Sequence, residues 1–304
     1  MLGIIDVGGG LRGIYGAGFL DYCMDREISF DYCIGVSAGS ANLAAYIAGQ
    51  KGRNYRFYHD YAFRKDYMGI CQYRKTGSYI NLDYIYGTLS NSNGESPLDY
   101  PTLAASPKRL VIVATDAETG KAVYFTKDDL RQDNYAPIKA SSCVPVVNRP
   151  YPIGNNLYFD GGISDPIPIE KAFADGCDRV IVVLTRPRDE YRLPGKDHML
   201  AQRLRKTWPM AAEQLADRAI IYNDSLDRAK AYEKEGKALI VAPKSIYNMK
   251  TLTKDQNALS LLYQDGNRDA RWIWVFIRES TLLQTEMNDD ENGYNDGYQQ
   301  RSYY

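Results

Sequence analysis

The stretch that decides the fold runs from Phe30 to Ala48: Phe-Asp-Tyr-Cys-Ile-Gly-Val-Ser-Ala-Gly-Ser-Ala-Asn-Leu-Ala-Ala-Tyr-Ile-Ala. Phe30 to Val36 is rich in apolar and aromatic residues and reads as a strand. Ala38 to Ala48 is small and apolar on every side, which suits a buried helix. Between them lies Gly35-Val36-Ser37-Ala38-Gly39. A strand that enters a helix through Gly-x-Ser-x-Gly turns sharply and puts the serine at the apex. The small residues Ala38, Gly39, Ser40 and Ala41 leave the hydroxyl room, and the helix start that they form favours negative charge. The plainer reading of the same residues is a tight strand-to-helix turn without chemistry.

Upstream, Ile4 to Val7 is a short β run that ends in Gly8-Gly9-Gly10-Leu11-Arg12-Gly13 and opens a helix over Arg12 to Asp25. Glycines let a loop adopt conformations that expose several backbone N–H groups at one point. Such a loop can be an oxyanion hole or a plain turn. It can also be a dinucleotide fingerprint, since Gly8, Gly10 and Gly13 fit G-x-G-x-x-G. The nucleotide reading wants an acidic residue at the carboxyl end of the second strand. Asp31 sits at that strand's beginning, and Ser37 occupies the right edge. The glycine loop and Ser37 thus share the carboxyl edge of the sheet, where α/β proteins place their sites. Arg12 could favour an anionic headgroup or shape the hole, or be a solvated first-turn arginine.

A serine nucleophile needs a base. The chain has two histidines, His59 and His198. Ser37, Asp160 and His198 would follow the chain order of an α/β-hydrolase triad. His198, however, lies in the polar stretch Gly195-Lys196-Asp197-His198 with no strand to deliver it, and one clear strand precedes that of the serine. His59 reads as a surface residue on a helix over Tyr55 to Phe63. Asp160 ends a strand over Leu157 to Phe159 and precedes Gly161-Gly162, so its carboxylate can stand at the sheet edge as general base. Its plainer reading is a turn aspartate; Asp116 and Asp165 read as structural.

The remaining pattern is strands at Leu110 to Thr115, Ala122 to Phe125 (an edge), Arg179 to Leu184 and Ala238 to Ala242. Helices are expected at Ile138 to Cys143, Ile169 to Asp175, Ala211 to Glu235, Lys254 to Asp265 and Arg268 to Phe276. Residues 52–106 are polar and Tyr-rich, with a turn at Ser90 to Gly94, and form a candidate lid or substrate-facing insertion; residues 186–197 read as a charged loop. Strands alternating with helices predict an α/β fold with a mostly parallel, doubly wound sheet.

Composition sets outer limits. The 304 residues suit one large α/β domain or two smaller ones. Lys+Arg 37 against Asp+Glu 38 leaves a net charge of -1 and no electrostatic footprint for nucleic acid. Tyrosine outnumbers phenylalanine 26 to 8, which suits wet interfaces and lipid-facing rims as well as a plain Tyr-rich surface. The five cysteines include no C-x-x-C pair, which argues against structural zinc and a disulfide framework and for a reducing compartment. No signal peptide is evident, and the apolar stretch Trp272 to Ile277 is far short of the ~20 residues of a membrane span. A soluble cytoplasmic protein follows, one that touches membranes from outside if at all. From Gln284 the chain is Asn/Asp/Gly/Tyr-rich and reads as a disordered tail.

Four segments together resemble the patatin-like phospholipase family. Gly8 to Gly13 is similar to its glycine-rich oxyanion loop, and Gly35 to Gly39 to its nucleophile turn. Ala140-Ser141-Ser142-Cys143-Val144-Pro145 resembles the small-residue segment before the acid. Tyr158-Phe159-Asp160-Gly161-Gly162 resembles the catalytic Asp motif, with Pro166-Ile167-Pro168 after it. Cys143 and Asn148-Arg149-Pro150 depart from the usual pattern. The resemblance spans roughly residues 3–184, and Leu261 to Gly266 looks like the extension of a bacterial subgroup. It implies a three-layer sandwich and a lipid acyl hydrolase with a Ser37–Asp160 dyad, without metal or cofactor, and an oxyanion hole drawn from Gly9, Gly10, Leu11, Arg12 and Ala38. The expected organisation is a catalytic domain over 1–190, a helical part over 191–283 packed on it, and a tail over 284–304. The competing function is a hydrolase-like module that binds a lipid, an acyl group or a protein partner without turnover; a nucleotide-binding enzyme ranks third.

Overall fold

The computed structural model describes residues 1–278. Its strands are β1 (Leu2–Asp6), β2 (Tyr32–Val36), β3 (Arg109–Asp116), β4 (Ala122–Thr126), β5 (Tyr151–Ile153), β6 (Asn156–Asp160), β7 (Arg179–Val183) and β8 (Ala238–Val241). All eight join one sheet in the order β5-β6-β3-β2-β1-β7-β8, with β4 also paired to β3. The contacts β3-β2, β2-β1, β1-β7 and β7-β8 are parallel. Those of β3 with β4 and β6, and of β5 with β6, are antiparallel. Parallel strands are covered on both faces and so read as unbroken apolar runs. Every residue of β2 is buried, as is Leu110 to Thr115 of β3.

The helices are α1 (Ile14–Asp25), α2 (Ala38–Ile47), α3 (Arg53–His59), α4 (Ile70–Thr76), α5 (Tyr100–Ala105), α6 (Ala136–Ser141), α7 (Ile169–Ala174), α8 (Gly195–Leu204), α9 (Pro209–Lys234) and α10 (Gln256–Asp269). They cover both faces of the sheet. Ile5, Ile34, Val36, Val113 and Val182 point to one face, where Ile169 and Ala172 of α7 and Leu226 and Ala229 of α9 seal the core. Successive strand residues alternate faces. Gly35 therefore points the other way, towards Ser40 of α2, and α1 packs beyond α2 with α10 against it. The expected mostly parallel, three-layer α/β architecture is the one observed.

Differences from the sequence reading are local. The helix expected from Arg12 opens as a 3-10 turn, Gly10–Gly13, before α1. β5 was not anticipated; its three residues pair only with β6, and so short a strand carries no periodicity. The loop expected over 186–197 ends in α8, which begins at Gly195. Residues 52–106 hold α3, α4, α5 and a π-helical turn, Tyr84–Thr88. The two helices expected near the end meet differently. α10 runs through Gly266 and Arg268 to Asp269 and passes into a 3-10 turn, Ala270–Trp272, and residues 273–278 are α-helical again. A single glycine is tolerated inside a helix. Met1–Ala270 form one compact unit, and the chain from Arg271 belongs to a second. The tail expected from Gln284 lies outside the described residues.

Candidate active site

The sheet register brings Ser37 and Asp160 together. Val36, the last residue of β2, pairs with Val113 of β3. The next residue of β3, Ala114, pairs with Asp160 of β6. Residues immediately beyond Val36 thus face the end of β6. On the other side, Asp6 of β1 pairs with Gly35, so the glycine loop leaves the sheet beside the serine turn.

Ser37 sits at φ 56 and ψ -131, a conformation that L-residues rarely adopt. Such a backbone costs about 1–3 kcal/mol and persists only where its surroundings over-determine it. Those surroundings are on view. The Ser37 amide donates to Ser141 Oγ at 2.8 Å, and its carbonyl accepts from Ser40 Oγ at 2.7 Å and from the Ser40 amide at 3.0 Å. Gly39 packs against the end of β1, where an added Cβ would lie 2.1 Å from the Asp6 carbonyl oxygen.

Asp6, fully buried, fastens the two loops to each other. Its Oδ1 accepts from the Gly8 amide at 2.9 Å and its Oδ2 from Asn42 Nδ2 at 2.9 Å. Asn42 also donates to the Gly13 carbonyl and accepts from the Tyr58 hydroxyl, each at 2.9 Å. Burial pushes the Asp6 carboxyl up to about 6, against the two hydrogen bonds.

Gly8, Gly9 and Gly10 have φ values of 62, 119 and 61, a run that other residues would resist. Thr185, just past β7, donates its hydroxyl to the Gly8 carbonyl. Among the described residues no acceptor bonds the amides of Gly9, Gly10 or Ala38. One member of the expected oxyanion set is corrected. The Leu11 amide already donates to the Thr251 carbonyl at 2.9 Å. The Arg12 guanidinium is held by the Thr185 carbonyl at 3.2 Å and by Thr251 Oγ1 at 3.5 Å. Arg12 is 3% exposed, so its solvated first-turn reading fails.

Asp160 is buried. Its amide donates to the Cys143 carbonyl at 2.8 Å, and its Oδ1 accepts from the Gly162 amide at 2.8 Å. Desolvation raises its pKa above the ordinary carboxylate value; the Ser37 hydroxyl and the Gly162 amide, as donors, and the charges of Arg218 and Arg192 oppose that rise. Gly161 lies against the β3 backbone, with Val113 O 2.3 Å from where a Cβ would stand. The unusual residues serve this frame: Cys143 Sγ donates to the Arg149 carbonyl at 2.7 Å, and Asn148 bonds both backbone groups of Ile80.

Ser37 lies where two cavities meet. One is apolar and is walled largely by Tyr58, Met68, Ile80, Leu82, Ile85 and Tyr86, all within the Tyr-rich 52–106 segment. The other, which is larger, is lined by Gly9, Gly10 and Asp160, together with Arg12, Arg186, Arg192 and Arg218. Neither histidine lines either cavity. His59 stacks on Tyr55 and bonds Asp60 at 2.7 Å, and His198 is exposed on α8. Asp116 caps its own turn through the Glu118 and Thr119 amides, and Asp165 accepts from the Tyr124 hydroxyl at 2.7 Å. Among the described residues no three His, Cys, Asp or Glu side chains form a metal set, and no helix is long and apolar enough to cross a membrane.

Arg186, Arg192 and Arg218 were not among the residues singled out from sequence. The first two follow β7 at the carboxyl edge of the sheet, where loops line α/β sites. That position was the available signal.

A model of the patatin-like phospholipases matches residues 7–173, and one described as a domain of unknown function (DUF6363) matches residues 209–279. The uncharacterized protein YjjU of Escherichia coli (strain K12) is 32% identical over 211 residues, covering 64% of this chain and 54% of that protein. An uncharacterized NTE family protein of Mycobacterium bovis, Mb1092c, is 38% identical over 71 residues, 23% of this chain and 19% of that one. The chain thus spans about half, or less, of the curated relatives it matches. The crystal structure of VipD from Legionella pneumophila superposes with a TM-score of 0.46 and 15% identity, over 89% of this chain and 66% of that chain. With its model matched over more than half of the chain, the protein belongs to the patatin-like phospholipases, a family generally of lipid-ester hydrolases.

Proposed function

We propose that this protein hydrolyses acyl esters of lipids with Ser37 as nucleophile and Asp160 as general base. The observation that carries the reading is the β2-β3-β6 register, which sets Asp160 at the serine turn over a shared cavity. Ser37 Oγ attacks the acyl carbonyl while its proton passes to the Asp160 carboxylate. The unpaired amides of Gly9, Gly10 and Ala38 receive the charge that develops on the carbonyl oxygen. Each such donor is typically worth about 10²–10³ in turnover. On collapse the alkoxide leaves with the proton from Asp160, and the acyl group stays on Ser37. Asp160 then takes a proton from water, the hydroxide attacks the acyl-enzyme, and the proton returns to Ser37 Oγ as the free acid departs. The acyl chain occupies the apolar cavity, and the substrate is reached at a lipid surface from outside.

The test is a panel of p-nitrophenyl esters and phospholipids on wild type and Ser37→Ala. Hydrolysis by wild type and its loss in Ser37→Ala is the expected outcome. Equal rates in both remove Ser37 from the chemistry, and acyl chains that co-purify without turnover by wild type favour a binding module.

The pH profile is a second expectation. The base works when deprotonated, so the acid limb of kcat/KM lies above the ordinary carboxylate range, because burial raises the Asp160 pKa. Arg218 lowers that pKa, so Arg218→Gln moves the limb to higher pH. A limb that stays in place in Arg218→Gln, measured on a neutral ester, contradicts the assignment.

Ser141 is a positioning residue in this scheme. Ser141→Ala leaves the buried Ser37 amide without its acceptor, an effect of about 1–3 kcal/mol. We expect kcat to fall by about 5- to 150-fold by that conversion, with KM nearly unchanged. A change confined to KM argues against it.

A further inference from the structure

The larger cavity at Ser37 carries more positive charge than its surroundings balance. Four arginines line it: Arg12, Arg186, Arg192 and Arg218. Arg186 pairs with Glu190, and Arg218 reaches Asp197 at 3.9 Å. Among the described residues, Arg12 and Arg192 have no carboxylate within ion-pair distance. Arg12 has only the Thr185 carbonyl and the Thr251 hydroxyl as acceptors. Arg192 lies with its guanidinium carbon 5.1 Å from the centre of the Tyr222 ring. The Nε of Arg218 is buried with no hydrogen-bond partner. A guanidinium presents five N–H donors, so this wall holds more donors than acceptors. The charges also act on each other. Burial and the neighbouring arginines bring the Arg12 pKa down to about 10 and that of Arg192 to about 9. Burying guanidinium groups without acids is costly, and bidentate binding of a phosphate or carboxylate relieves that cost.

We propose that this cavity is a subsite for an anionic phosphate on the alcohol side of the substrate ester. The inference rests on the hydrolase reading, which puts the acyl chain in the apolar cavity on the other side of Ser37. The alcohol moiety then falls among the arginines. Its phosphate meets the guanidinium groups of Arg12 and Arg192, with the charge of Arg218 beside them in the cavity wall. A headgroup with a quaternary ammonium would set a second cation against that wall, while Asp197 is already engaged by Arg218. The preferred class is therefore an acyl glycerol phosphate with a free phosphate monoester, over zwitterionic phospholipids.

The test compares phosphatidate with phosphatidylcholine of the same acyl chains in neutral-detergent micelles. For wild type we expect kcat/KM to favour phosphatidate by 10-fold or more. Arg192→Gln should reduce that ratio at least 5-fold, and Arg192→Lys should restore part of it. Reading the ratio cancels any shared loss of catalysis. Should Arg192→Gln not fold, Arg218→Gln is read in the same way. A wild-type ratio near one, or a ratio unmoved by these variants, overturns the proposal. Calorimetry on Ser37→Ala separates the two readings. Dihexanoyl phosphatidate that binds Ser37→Ala but not Ser37→Ala/Arg192→Gln sustains the subsite, even if wild type hydrolyses neither lipid and the hydrolase reading fails. No binding to Ser37→Ala overturns the subsite. Inorganic phosphate that binds as tightly as the short-chain lipid assigns the cavity to free phosphate and overturns the headgroup assignment.

Discussion

Asp160→Asn is expected to lower kcat on any hydrolysed ester by about 10³-fold or more, near the upper end of what a positioned general base supplies. The amide is nearly isosteric and can keep its oxygen on the Gly162 amide, so the loop that carries residue 160 should survive. What it loses is the ability to take a proton. No substitute stands nearby, since His59 and His198 both lie away from the two cavities. KM should change little, because residue 160 is not required to hold the acyl chain. Steady-state kinetics on a soluble ester decide the matter, with circular dichroism to verify the fold. A fall of less than about 10-fold would assign the proton to another group. His198→Ala is the complementary variant, and its rate should stay within about 3-fold of wild type, as for a surface change.

The second large effect is on folding. Gly39→Ala would place a methyl group 2.1 Å from the Asp6 carbonyl oxygen, where backbone meets backbone and no flexible side chain can yield. Either the end of β1 or the start of α2 must move. Each movement breaks part of the Asp6–Gly8–Asn42 network. Overpacking costs of this kind run to about 3 kcal/mol and above. For a domain of this size that is a fall in Tm of roughly 6–12 °C. Gly195→Ala is the matched control, since an added Cβ there meets nothing within 4 Å. Its Tm should match wild type within about 2 °C, as for a surface change. Similar melting of Gly39→Ala and wild type would mean that α2 does not approach β1 as closely as described.

How far the sequence carried this account depended on the range of the interaction. The serine turn and the glycine loop were legible because strain and close approach leave a local signature in residue size. Gly39 must be small against Asp6, and Gly8 to Gly10 must tolerate positive φ. The parallel core strands were legible as apolar runs, since burial on both faces leaves no alternation to confuse. The hydrogen bond that occupies the Leu11 amide was not legible. It comes from Thr251, 240 positions away, and a carbonyl acceptor has no residue signature. The arginine wall was also missed. Arg186 and Arg192 fall in a stretch that reads as a charged loop, and Arg218 in the helix expected over Ala211 to Glu235, and nothing local says that the two line one cavity with Ser37. A cavity assembled from three distant segments belongs to tertiary structure and leaves no local signature in any one of them.

The site's central claim is that Ser37 is the activated nucleophile, with Asp160 as its base. The most direct measurement is labelling by a fluorophosphonate, with the modified residue located by mass spectrometry of tryptic peptides. The account predicts one adduct on Ser37 in wild type, no adduct in Ser37→Ala, and labelling slowed by about 10²-fold or more in Asp160→Asn. An adduct on another serine, or labelling of Ser37→Ala at the wild-type rate, would contradict it.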